Sequence, residues 1–380
     1  MTAPDVVVIG GGPIGLAIAW RAALAGLRVT VLDPTPGGGA ADVAAGMLAP
    51  VTETSYGEGS LTRLSLASAD RWPSFAAELE DAAEQTIGFS DTGTIVAAYD
   101  ADDHAALDEA HRYQVSLDLD VERMRPHDLR RLEPALSPHI RGGVLARQDR
   151  SVDPRLLCEA LETAARRTGV SVAPRRVELI VVEGDRVAGV IADGRMLKGA
   201  TVVLAAGCWS ASIPGLPAEA IPPVRPVKGE IVTVRPRAHQ PPLLERTVRG
   251  LVTGSNVYLV PREDGRVVVG ATNEERGWDA VPSAGGLYQL LRDAVLLVPG
   301  VADLELVEVR AGLRPGSPDN APLIGAGLVD GLVVATGHYR NGILLTPITA
   351  DAVAQLLTAG TMPDEVEACA PGRFAREPTG

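Results

Sequence analysis

The chain has 380 residues, 46% of them hydrophobic and 22% charged, with 48 acidic against 35 basic side chains and a net charge of −13. That length predicts two domains of a globular protein. The charge argues against nucleic acid and anionic membranes as partners, because both would repel so acidic a chain.

The first element predicted is a buried strand in Asp5-Val-Val-Val-Ile-Gly10, followed by a Gly-x-Gly-x-x-Gly turn at Gly10, Gly12 and Gly15. Pro13 and Ile14 lie inside that turn, a helix follows, and Arg28-Val-Thr-Val-Leu-Asp33 forms a second strand ending in an acid. Each part has a task in binding a dinucleotide. Gly10 permits the tight turn, Gly12 lets backbone approach a pyrophosphate, and Gly15 lets helix and strand pack closely. The helix N-terminus presents unpaired N–H groups to phosphate, and Asp33 can accept hydrogen bonds from a ribose. This unit alone does not separate FAD from NAD.

After an irregular loop, Pro34–Gly39, helices are expected around residues 60–84 and 102–118, and again at 153–168 with Asp153 as N-cap and Pro154 at the first position. Residues 177–183, 186–192 and 195–198 read as a β-meander turned at Gly184-Asp185 and Asp193-Gly194. The apolar run Thr201–Gly207 reads as a central parallel strand. A second β-rich block spans Lys228–Arg235, Asn256–Pro261 and Arg266–Ala271, the last two forming a hairpin. A helix near 284–298, a strand at Gly331–Thr336 and a helix to about 358 complete the pattern. Parallel segments thus occur at the beginning, middle and end, with antiparallel material between them. A discontinuous nucleotide domain (1–86, 149–220 and 306–380) and a substrate domain (87–148 and 221–305) are expected.

Cys158, Cys208 and Cys369 are too far apart for a disulfide framework or a metal motif, so no metal is expected. The apolar N-terminus lacks a basic flank, is broken by Gly and Pro, and meets Arg21 early. It reads as neither signal peptide nor membrane span, and a cytoplasmic protein is expected.

The opening unit, together with Ala44-Ala-Gly-Met-Leu-Ala-Pro50, Val227-Lys-Gly-Glu230, Ala311-Gly-Leu-Arg-Pro315 and Gly337-His-Tyr-Arg-Asn-Gly-Ile-Leu-Leu345, resembles the flavin-dependent amine oxidases of the D-amino-acid oxidase superfamily. Within it, the motifs look most like the glycine oxidase branch, which makes the glycine imine used for the thiazole of thiamine. The resemblance covers residue 5 to about 358 in order. It implies an α/β (α+β overall) fold with a Rossmann-like FAD-binding domain of the glutathione-reductase/D-amino-acid-oxidase type and an antiparallel-sheet substrate domain. FAD is then the expected cofactor. It should be non-covalent, because Gly316-Ser-Pro-Asp-Asn320 offers no cysteine where relatives attach flavin.

By family position Asp33 should hold the adenosine ribose and Val177 the adenine. Ala44, Ala45, Gly46 and Met47 should lie along the isoalloxazine, and Gly342, Ile343 and Leu344 at its pyrimidine edge. Ala206, Gly207, Trp209, His338 and Asn341 complete the cofactor set. A carboxylate at Asp42 would repel pyrophosphate unless it turned away. For a substrate α-carboxylate the candidates are Arg314 and Arg340, since a guanidinium binds it with two hydrogen bonds. The resemblance makes Arg314 the clamp, places Arg340 near the amino group or flavin, and lets Tyr258 add a hydroxyl. His338 reads as a structural hydrogen-bonding residue. Oxidation of glycine or another small amino acid with O2 as acceptor is implied, and so is a homotetramer. The alternatives are a D-amino-acid or sarcosine oxidase and a quinone-linked dehydrogenase of the same superfamily.

Overall fold

The computed structural model describes residues 3–374. Its first sheet has six strands in the order Leu323–Ala326, Leu332–Thr336, Thr201–Leu204, Val6–Ile9, Val29–Asp33, Ser171–Pro174. All pairs are parallel except the first. The opening strand shows why its sequence is uninterruptedly apolar. Val6 and Val8 enter one core, shared with helices Pro13–Leu24, Gly59–Ala83, Pro154–Arg167 and Thr346–Ala359. Val7 and Ile9 enter another core, against Ile180, Val187 and Val190 of the meander. Both faces of the strand are covered, so no position can be polar. The meander forms as expected, a three-stranded antiparallel sheet of Val177–Glu183, Arg186–Ala192 and Arg195–Lys198. Asp153 caps its helix by accepting from the Arg155 amide, with Pro154 at the first position.

The second sheet has eight strands: Glu305–Gly316, Arg225–Arg235, Val267–Gly270, Ser255–Pro261, Thr247–Val252, Thr94–Ala98, Gly142–Ala146 and Glu122–Met124. Helix Ala284–Leu297 covers it, burying Leu290, Ala294 and Leu297 against Val232, Val257 and Val269. The sheet is antiparallel as expected except for one pair, Thr247–Val252 with Thr94–Ala98, which is parallel. Among the described residues, Glu305–Gly316 form a twelve-residue edge strand laddered with Arg225–Arg235 alone, apart from a single bridge from Gly316 to His338. An edge tolerates Pro315, whose missing N–H would break a central ladder. The expected boundary at 306 would therefore place on the nucleotide side a strand whose hydrogen bonds belong to the eight-stranded sheet.

Candidate functional site

The two large sheets meet around a cavity of about 930 Å³. Gly10, Gly12, Pro13, Ile14, Asp33 and Val177 line it, as do Ala44, Ala45, Gly46, Met47, Ala206, Gly207 and Trp209. Tyr258, Arg314, His338, Arg340, Gly342 and Ile343 join them. Three expected residues do not line it. Gly15 packs helix to turn, since a Cβ there would lie 2.0 Å from the Gly10 carbonyl oxygen. Leu344 points into the helical core while its carbonyl accepts from Ser68 Oγ and Trp72 Nε1 at 2.6 and 2.8 Å. Asn341 is buried away from the cavity.

The glycine turn is shaped for close backbone approach. Gly10 has φ +111°, and a Cβ on it would meet the Ala205 carbonyl oxygen at 2.3 Å. A Cβ on Gly12 would meet nothing within 4 Å, so that position opens on free space. Asp33 has a second duty besides facing the cavity. Its carboxylate accepts from the Gly11 and Thr35 amides, each at 2.7 Å, and so braces the turn. Asp42 does turn away: it pairs with Arg310 and with Arg155 Nε at 3.0 Å, and it is not among the lining residues.

Gly342, Ile343 and Leu344 lead into helix Thr346–Ala359. Among the described residues, nothing accepts from their amides. Three free donors at the positive end of a helix favour negative charge in front of them.

Arg314 is cross-strand to Val227, and its guanidinium lies over Gly229, where a Cβ would come within 2.3 Å of it. Its Nη1 donates to the Thr272 and Lys228 carbonyls at 3.1 and 3.4 Å. No carboxylate pairs with it among the described residues. Tyr258 lies over Gly270 in the same way, its hydroxyl 2.4 Å from where a Cβ would be. Burial pushes that hydroxyl above its ordinary pKa against the opposing Arg314 charge, so it remains a protonated donor. Arg340 is already matched, being paired with Glu58, whose other oxygen accepts from Asn320 Nδ2 at 2.8 Å. His338 is buried, shares a 3.0 Å hydrogen bond with Thr349 Oγ1, and is pushed down to about 3 by burial. It is neutral at physiological pH. The sequence reading missed Glu58, Thr272 and the pair Glu53–Arg249, of which Thr272 and Glu53 line the cavity. The glycine beneath Arg314 was visible only as part of the Val227–Glu230 motif.

Residues 5–356 match the family described as FAD dependent oxidoreductase. The chain belongs to that family. The bifunctional protein ThiO/ThiG of Synechocystis sp. is 36% identical over 378 residues, 98% of this chain and 54% of that protein. The chain spans about half the length of the first curated relatives it matches. Glycine oxidase of Geobacillus kaustophilus is 33% identical over 93% of this chain and 92% of its own. The crystal structure of glycine oxidase from Geobacillus kaustophilus superposes with a TM-score of 0.90, at 32% identity, over 98% of this chain and 99% of that one.

FAD is the cofactor of this oxidoreductase, and the cavity fits it. The turn at Gly10–Gly15 has the open Gly12 face that a pyrophosphate needs, and Asp42 is neutralised elsewhere. The free amides from Gly342 onward suit the pyrimidine edge, where a reduced flavin gathers negative charge.

Proposed function

We propose that this chain oxidises glycine and other small primary or secondary amino acids. The observation that carries the reading is Arg314, an arginine on the cavity wall with no acid partner among the described residues, held by two carbonyls beside a protonated Tyr258 hydroxyl. A guanidinium so held has donors left for the two oxygens of an α-carboxylate. Tyr258 adds a hydroxyl to the same group. Fixing the carboxylate fixes Cα, and catalysis then rests on orientation and electrostatics rather than on a base. His338, kept neutral by burial, takes no proton, and Arg340 is occupied by Glu58. When bound, FAD supplies the acceptor for hydride from Cα, and O2 takes those electrons on as hydrogen peroxide. The substrate amine must be neutral for its lone pair to assist. The imine so formed is hydrolysed to glyoxylate and ammonia, or feeds thiazole formation for thiamine, the role that the resemblance implies. A cytoplasmic homotetramer and a division into FAD-binding and substrate domains belong to the same reading. No helix of the described residues is long and apolar enough to cross a membrane.

Anaerobic titration of the FAD-loaded protein with glycine, sarcosine and D-alanine tests the proposal. Glycine should bleach the flavin absorbance, and admission of air should restore it with release of peroxide. Bleaching by D-alanine or sarcosine but not by glycine would transfer the assignment to those substrates. Bleaching without reoxidation by air would indicate a quinone-linked dehydrogenase.

A further inference from the structure

One acid on the cavity wall takes no part in the chemistry above. Glu53 lines the cavity and sits in a segment that is firmly held. The Val51 and Thr52 amides donate to the fully buried Asp149 carboxylate at 3.1 and 3.2 Å, and the Thr52 hydroxyl donates to it at 2.5 Å. Gln114 Nε2 donates to the Val51 carbonyl at 3.0 Å. Glu53 Oε1 in turn accepts from Arg249 Nη1 at 3.3 Å, and the same Nη1 reaches Thr52 Oγ1 at 3.2 Å. Arg249 lies directly opposite Tyr258 in an antiparallel strand pair, so the two side chains share one face of the sheet. Arg314, Glu53 and Arg249 all act electrostatically on the Tyr258 hydroxyl.

The charges around that hydroxyl can be matched one to one. Arg249 is paired with Glu53 and Arg340 with Glu58. Arg314 remains, so among the described residues the surroundings of the Tyr258 hydroxyl present one positive charge without an acid, while the unpaired Arg176 lines the cavity beside Val177.

We propose that Glu53 is a specificity-determining residue: by occupying Arg249 it restricts the chamber to amino acids with a single carboxylate. Removing its charge turns Arg249 into a site for a second carboxylate. The inference rests on the amino-acid reading of the chamber and adds the charge class of the substrate. Its physical basis is that a second carboxylate beside Tyr258 meets the like charge of Glu53, with Arg249 already occupied there.

The test uses FAD-loaded protein and two kinds of readout. In wild-type protein, acetate and malonate are titrated against the flavin spectrum, which needs no turnover. Acetate should bind at least roughly tenfold more tightly than malonate. Malonate binding equally or better overturns the proposal. In Glu53→Gln, kcat/KM for iminodiacetate relative to sarcosine should rise roughly tenfold or more, with malonate affinity rising in parallel. The double variant Glu53→Gln/Arg249→Gln should lose that gain. An unchanged ratio in the single variant, or a gain that persists in the double variant, also overturns it. Loss of turnover on every amine with the acetate and malonate preference intact would fault the oxidase reading and leave the charge match standing.

Discussion

Arg314 depends on a residue with no side chain. The guanidinium lies where a Cβ on Gly229 would be, and its two carbonyl acceptors orient the fork toward the cavity. Arg314→Ala should raise the glycine KM about 100-fold, the order expected for losing charge-assisted hydrogen bonds to a carboxylate, while FAD stays bound. Steady-state kinetics with a flavin spectrum checks this, and normal kinetics would remove Arg314 from the site. Gly229→Ala should raise KM in the same direction without deleting any polar atom. If its KM were unchanged, the guanidinium would not depend on that space. Arg314 as candidate clamp could be named from its motif alone. The pairing of Arg340 with Glu58 could not, because 282 residues separate the partners and nothing local joins them.

Among elements, the loop from Ala49 to Glu58 shows what neither periodicity nor motif reveals. It carries Glu53 and Glu58, and it hangs on Asp149, nearly a hundred residues away. Burial pushes the Asp149 carboxyl up to about 6 from 3.8. The fold therefore holds a proton that the unfolded chain has already released, and the resulting stabilisation is lost as pH rises from about 4 through 6. Asp149→Asn stays neutral, so its melting temperature minus that of wild type should rise across this window. Scanning calorimetry between pH 4 and 7 measures it, and a flat or falling difference would contradict the assignment. The glycine turn gives a complementary case, because its geometry is local and its motif readable. Gly10→Ala would force a Cβ into the Ala205 carbonyl at a φ of +111°. That variant should purify with little or no flavin, as read from its visible absorbance. The edge strand Glu305–Gly316 was not legible as a strand, because its glycines, Pro315 and arginines carry the pattern of a loop. Only its eleven partners along Arg225–Arg235 make it a strand.

For the whole molecule, the cavity is walled by both large sheets, so a ligand filling it touches segments from residue 9 to residue 343. Binding that closes such a gap stabilises the fold by mass action, about 2.7 kcal/mol at a hundredfold excess over Kd. Added FAD should raise the melting temperature of stripped protein by several degrees, and acetate should raise it further only when FAD is present. Stabilisation by acetate alone would place its site away from the flavin.

What the sequence determined by itself was the dinucleotide unit, the meander, the principal helices and the FAD-dependent family. These are encoded by contiguous residues: an apolar run buried on both faces, glycines that backbone geometry demands, and caps at helix starts. The tertiary structure alone decided the charge state of the chamber. Whether Arg340, Arg249 or Asp42 is free to meet a ligand depends on Glu58, Glu53, Arg155 and Arg310, and all four resulting ion pairs join residues more than a hundred positions apart. An arginine's chemistry is written in its own codon, but its availability is set by the acid that folding brings beside it.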